Sequence, residues 1–375
     1  MSELTQFDPW LTTDTFAALV IREFLEPVEG PDGVLFPATY AAAEDKKVFP
    51  GGYNIDPPEG DKNVCLVDSV GSQANRIEPI FAKPDYAHLV PQITVKAGEK
   101  SVSILEAGHR AGDALVRCTP LQKELQDAFK AVLKGNAEPL AKIAPTSLVF
   151  GVWDSRDTQA KLPRLVASTI RAFDVKRLKR SAQYNPSTDY IGDKLLEDTA
   201  DKKLKDAYAE RGFVHVPATG SHGGVIATGE IRRDATLSLA ALRLLAVREG
   251  TGDEWMSSDR TKTLRRYILG LALVAFTSNA STYLRQGCNL VPSEKPRVFQ
   301  LVHSDGTRES LKLTPSDVLK YATAAAKAFG VDKGKEVVFD SKLALADIKG
   351  EGDVKETRKG NKKNKPGADT TGGTE

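Results

Sequence analysis

Between residues 150 and 180 the chain sets Trp153, Arg156, Gln159, Lys161, Arg164 and Arg171 close together, with Asp154 and Asp157 among them. Guanidinium and ammonium groups bind phosphate, an indole stacks on an unpaired base, and an amide reads base edges or ribose hydroxyls. From Lys161 to Arg180 there are seven Lys/Arg against one Asp, a local balance of +6. A second set lies at 64–78. Projected on a helix, Ser69, Ser72, Gln73 and Arg76 share one side, with Asn75 next to them, and they suit hydrogen bonds to a sugar-phosphate strand. A third set joins His222, Gly223 and Gly224, whose backbone N–H groups can approach a polyanion, to Arg232 and Arg233. The plain alternative for each set is a solvated polar surface.

What is missing narrows the choice. Cys65, Cys118 and Cys288 are scattered and form no C-x-x-C, which argues against a disulfide framework or structural zinc. His109 sits in a Gly-containing turn with no second ligand at metal spacing. His222-Gly223-Gly224 resembles an esterase oxyanion loop, but the chain has no G-x-S-x-G, no G-x-G-x-x-G after a strand and no G-x-x-x-x-G-K-[ST]. No cofactor and no enzymatic activity is expected. Net charge is only +2 over 375 residues, so a polyanion site must be a local patch. The 41% hydrophobic and 27% charged composition describes a soluble globular protein. The longest apolar stretch, 267–276, is too short for a bilayer, and the start of the chain shows no signal pattern, so a reducing cytoplasm is expected.

The elements that must position these groups are read from apolar spacing. Phe16, Leu19, Val20 and Phe24 predict a helix capped by Asp14. Residues 29–60, rich in Pro and Gly, read as a long loop or projecting hairpin outside the core. Val67, Val70, Ala74 and Ile77 predict one helix face within 64–78. Three strands are expected in 92–117, a helix over 121–134 and a buried strand at 148–150. From Pro163 a helix is expected, with Leu162, Val166, Ile170 and Phe173 inward and Lys161, Arg164, Ser168 and Arg171 as a basic stripe. A charged insertion follows at 181–211, then a strand at 212–216 and a helix from Asp234. The last third predicts a buried helix over 264–276, a strand at 297–302 turned by Asp305-Gly306, and a helix over 315–329 ended by Gly330. Residues 1–349 read as one domain, and 350–375, almost without apolar residues, as a disordered tail.

CLVDSVGSQANRIE (65–78), FGVWDSRDTQAKLPRLVASTIRA (150–172) and HGGVIATGEIRRDATLSLAALRLL (222–245), with VLFPATYA (34–41) and YLRQGCNLV (283–291), carry a resemblance. Together, over roughly 30–330, they resemble the backbone subunit of CRISPR type I-G (formerly I-U) Cascade, a branch of the RAMP superfamily. The resemblance implies an α+β fold, a modified RNA-recognition-motif (ferredoxin-like) palm with large insertions and a projecting thumb hairpin, a role that falls on 29–60. It implies head-to-tail copies along a CRISPR RNA (crRNA), other Cascade subunits as partners, spacer bases presented to a target DNA strand, and no membrane. Related type III subunits cut target RNA with a loop Asp and a metal, so Asp154 or Asp157 could serve an RNase, and a scaffold without nucleic acid also stays open.

Overall fold

One antiparallel sheet organises the molecule, for which the computed structural model describes residues 4–57, 60, 62–248, 254–278 and 282–349. Its central strands run Phe16–Pro27, Ile231–Ser238, Val166–Phe173 and Val64–Asp68, side by side in that order. Phe16–Pro27 also pairs with Cys288–Pro292 and Val298–His303. Along Phe16–Pro27, Leu19, Ile21 and Leu25 are buried while Val20, Arg22 and Phe24 face outward, the two-residue period of a pleated strand. The helix Asp259–Thr277 is buried along most of its length and packs on the inner face, with Pro315–Phe329 against it. A small sheet of Lys335–Val338, Ile93–Ala97 and Lys100–Ser103 completes an α+β architecture.

Local periods change in several places. Residues 16–27 are a strand, not a helix capped by Asp14. The expected helix after Pro163 is the strand Val166–Phe173, so Lys161, Arg164, Ser168 and Arg171 share no helix face. Both segments hold apolar residues at spacings that fit either period. Neighbouring strands on both sides satisfy the backbone, and β-branched Val166, Thr169 and Ile170 suit the pleat. Residues 148–150 lie in the short helix Thr146–Phe150, and Ala114–Arg117 is helical where a third strand was expected. The 64–78 stretch splits at Ser69, whose Oγ accepts the Ser72 N–H (3.2 Å) and caps the helix Val70–Ile77. The helix expected from Asp234 begins only at Leu239, after strand Ile231–Ser238. The strand expected at 212–216 starts at Val216 and runs through the glycines to Ala227.

The 29–60 segment is not outside the core: Leu35 and Tyr53 are buried with Cys65, Val225 and Cys288. What stands away is the ribbon of Val175–Tyr184 and Val216–Ala227, a two-stranded sheet of its own. Its first strand is exposed beyond Val175 except at Leu178, and the charged insertion forms its tip, with a helix Lys202–Glu210 that buries no residue. The helices Gln122–Leu133, Asp259–Thr277 and Pro315–Phe329 match expectation, the last ended by left-handed Gly330, and Asp305-Gly306 turns the hairpin as expected. The 350–375 tail lies outside the described residues.

Candidate nucleic-acid interface

A cleft of about 730 Å³ opens between the turn at 108–110, the start of helix Val70–Ile77 and a short hairpin. In that hairpin Val152 pairs with Leu162 and Trp153 with Lys161. The lining joins Gly71, Asn75, His109, Arg110, Trp153, Lys161 and Arg164, and among the described residues it contains no Asp or Glu. Strand register, not a helix face, therefore brings Trp153 and Lys161 together, with Nζ 5.6 Å from the ring centroid. Trp153 is 58% exposed, which leaves a ring face for stacking. Lys161 and Arg164 are exposed, and neither forms an ion pair with a described residue. Gly151, at φ +76°, closes the wall. A Cβ there would lie 2.9 Å from both the Leu162 carbonyl oxygen and Arg164 Cγ.

The loop between the hairpin strands is tied by Asp154, which is 2% exposed. Its Oδ2 accepts the Thr158 N–H (2.8 Å) and hydroxyl (2.6 Å). Asp157 lies 3.6 Å from Arg117 and accepts from Gln126 Nε2 (3.0 Å). Both carboxylates thus hold the loop's shape, and among the described residues no group of three or more His, Cys, Asp or Glu is placed to hold a metal ion. Arg156 and Gln159 stand on the exposed outside of this loop.

The expected polar helix face turns partly inward. Gln73 is 2% exposed. Its Nε2 donates to Asp68 Oδ2 (2.7 Å), and its Oε1 accepts from the Ser168 hydroxyl (2.9 Å). Asp68, fully buried, also accepts from Arg76 Nε (3.2 Å) and Arg285 Nη2 (2.7 Å). This is the pattern of a buried carboxylate satisfied from several sides. Gln73 and Ser168 therefore hold the sheet to the helix. Asn75, at the surface, does reach the cleft, and Ser72 is half-buried at the helix start.

The third set is dispersed. Gly224 donates its N–H to Tyr53 Oη (3.0 Å), and a Cβ at Gly224 would sit 2.8 Å from the Leu35 carbonyl oxygen. At Gly223 it would sit 2.8 Å from the Lys179 carbonyl carbon. These glycines permit close backbone packing, and the Gly224 N–H is taken by Tyr53; exposed His222 lies 5.1 Å from the Tyr53 ring. Arg233 is 1% exposed and donates to Glu23 (2.8 Å). Arg232 is held between Asp234 (2.9 Å) and Glu230 (3.5 Å). Arg171 lies across from Arg232 on the open sheet face, away from the cleft lining, and donates to Thr169 (2.8 Å).

Sequence reasoning missed two cations. Arg285 anchors Asp68. Arg110, at the cleft floor, is 4% exposed with its Nε 2.6 Å from Glu78 Oε2. Burial pushes the Glu78 carboxyl up to about 7, with Arg110 opposing the rise. The only signal for Arg110 was its place beside glycines in the turn.

No curated protein matches the chain. No helix among the described residues is long and apolar enough to cross a membrane. Residues 19–177 match the family model described as CRISPR-associated protein GSU0053. Every residue lining the cleft falls inside that range, so over the stretch that builds its candidate site the chain is similar to a CRISPR-associated protein family.

Proposed function

We propose that the protein is the RNA-binding backbone subunit of a CRISPR type I effector (Cascade) complex. Copies polymerise along a crRNA, hold its sugar-phosphate strand and leave the spacer bases free to pair with target DNA, alongside other Cascade subunits. The observation that carries this reading is the cleft, which holds no acid among the described residues and sets an open indole beside two exposed cations without an ion-pair partner among those residues, inside the matched stretch. Such a site suits a phosphate chain with an unstacked base and reads no sequence, as a guide-holding subunit requires. The central antiparallel strands are read as a modified RNA-recognition-motif palm. The thumb role passes from 29–60 to the exposed ribbon of Val175–Tyr184 and Val216–Ala227.

Head-to-tail contacts that do not close give a filament. Purified protein should carry RNA, seen in its absorbance ratio at 260 and 280 nm, and complexes on guides of increasing spacer length should gain mass in whole-subunit steps. A constant oligomer at every guide length, or protein free of RNA, would refute this function.

A further inference from the structure

Arg110 lines the cleft although it is 4% exposed. Its backbone lies at φ +52°, a left-handed conformation that is strained for a residue with a side chain and persists only when the surroundings impose it. The guanidinium is fixed from behind. Nε lies 2.6 Å from Glu78 Oε2, and Cζ lies 5.3 Å from the Phe150 ring centroid. Its two Nη groups make longer bonds, to Asn75 Oδ1 (3.2 Å) and to the Gly151 carbonyl (3.4 Å). Glu78 is 1% exposed and stays out of the lining. A cation is therefore held by an acid on its inner side and by weak neutral acceptors on the others. Its outer side meets a cleft walled by Lys161 and Arg164 with no competing carboxylate among the described residues.

We propose that Arg110 seats one phosphodiester of the bound strand at the floor of the cleft, and that Glu78 is the internal counter-ion with which this phosphate competes. This rests on the reading of the cleft as an RNA interface. A charge-assisted bond to Arg110 is strong because the site is desolvated, and for the same reason a phosphate and the Glu78 carboxylate repel each other across the guanidinium. Binding therefore favours protonated Glu78. Burial already lifts that carboxyl to about 7, so the strand takes up a proton near neutral pH and affinity rises as pH falls through that value. A phosphodiester does not titrate there. The groups facing Glu78 are Arg110 and the Thr146 hydroxyl, and those around Arg110 are Arg164 and His109. The measurement is made in a His109→Asn background, so that no imidazole lines the cleft.

The test titrates unstructured single-stranded RNA into the full chain by calorimetry, in two buffers of different ionisation enthalpy, on either side of pH 7. Proton uptake on binding is expected. The paired variant Arg110→Gln/Glu78→Gln replaces an ion pair by two neutral amides and avoids stranding either charge. It should bind about ten- to hundredfold more weakly. Its salt slope should fall by about one unit and its proton uptake should vanish. If it keeps wild-type affinity, slope and uptake while Lys161→Ala/Arg164→Ala loses RNA, the Arg110 seat is wrong and the cleft reading stands. If neither variant changes binding, both fall. Should the paired variant fail to fold, the parent protein decides alone, since RNA binding without proton uptake overturns the proposal. Inorganic phosphate is the control ligand; a seat that takes it while no RNA binds would serve a free anion and also overturn the proposal.

Discussion

The cleft and the outer face of the central sheet hold similar numbers of cations and use them in opposite ways. On the sheet face, Arg22 pairs with Asp234 (3.2 Å), Asp234 with Arg232 (2.9 Å), Arg232 with Glu230 (3.5 Å) and Glu230 with Lys295 (3.1 Å). Two of these cations also cap rings, Arg232 over Phe173 at 4.3 Å and Lys295 over Phe24 at 5.2 Å. Each of these three cations has a carboxylate beside it and two rings are covered, while Arg171 on the same face rests on the Thr169 hydroxyl. In the cleft, Lys161 and Arg164 have no acidic partner among the described residues, and Trp153 is open. A count of basic residues thus does not separate the two regions, whereas the carboxylates beside those residues do. Each exposed pair contributes little stability, yet it cancels the local field that a phosphate strand would feel.

The sharpest way to break this contrast is to remove cations from each region in turn. Lys161→Ala/Arg164→Ala should strip copurified RNA and lower the salt slope of binding by about two units, while Arg22→Ala/Lys295→Ala should leave both unchanged. Equal losses from the two regions would show that the sheet face binds RNA as well. The next effect is on stability. Arg233 neighbours Arg232 in sequence but faces the core, so Arg233→Ala should cost about 3–5 kcal/mol in denaturant unfolding by leaving Glu23 without its buried partner. The fraction that stays folded should bind RNA normally; weakened binding per folded molecule would place Arg233 at the interface.

A pH effect of similar size comes from under the cleft. The Glu78 carboxyl is raised by burial from its ordinary 4.5 to about 7, so the folded state holds this proton more tightly than the unfolded chain. Stability from this group is complete below about 4.5 and is lost as pH rises through about 7, a change of about 3 kcal/mol. Arg110→Gln/Glu78→Gln should remove that component of the pH-stability curve, and an unchanged curve would show that Glu78 does not titrate there. Smaller again, Gly151→Ala should cost about 1–3 kcal/mol because φ +76° and the Leu162 and Arg164 contacts leave no room for a Cβ. It should also weaken RNA binding by pushing Arg164 out of place; calorimetric melting and the same titration check both. Least of all, Asp234→Ala should shift stability by less than about 1 kcal/mol, as pairs that are partly exposed do. By freeing Arg22 and leaving Arg232 only Glu230, it should raise non-specific RNA binding of the sheet face, and no gain would show that pairing is not what silences that face.

The sequence by itself determined the chemistry and much of the helical frame. Apolar runs fixed the helices Asp259–Thr277 and Pro315–Phe329, because burial all round or on one stripe has few other solutions. The turn at Asp305-Gly306 and the left-handed Gly330 followed from local backbone preference, and Trp153, Lys161, Arg164 and Asn75 are of types that suit a nucleic-acid strand. What only the tertiary structure decided was which of them meet. Residues 16–27 and 166–173 carry apolar side chains that satisfy both a helical and a strand period, and only hydrogen-bonding neighbours far away in sequence select the strand. That choice dissolved the supposed stripe of Lys161, Arg164, Ser168 and Arg171, sent Ser168 to Gln73 and Arg171 to the sheet face, and left Lys161 across from Trp153. Burial made the other distinction. Arg110, Arg232, Arg233 and Arg285 are identical side chains, and their roles differ because the carboxylate beside each and its depth below the surface are set by contacts between distant segments.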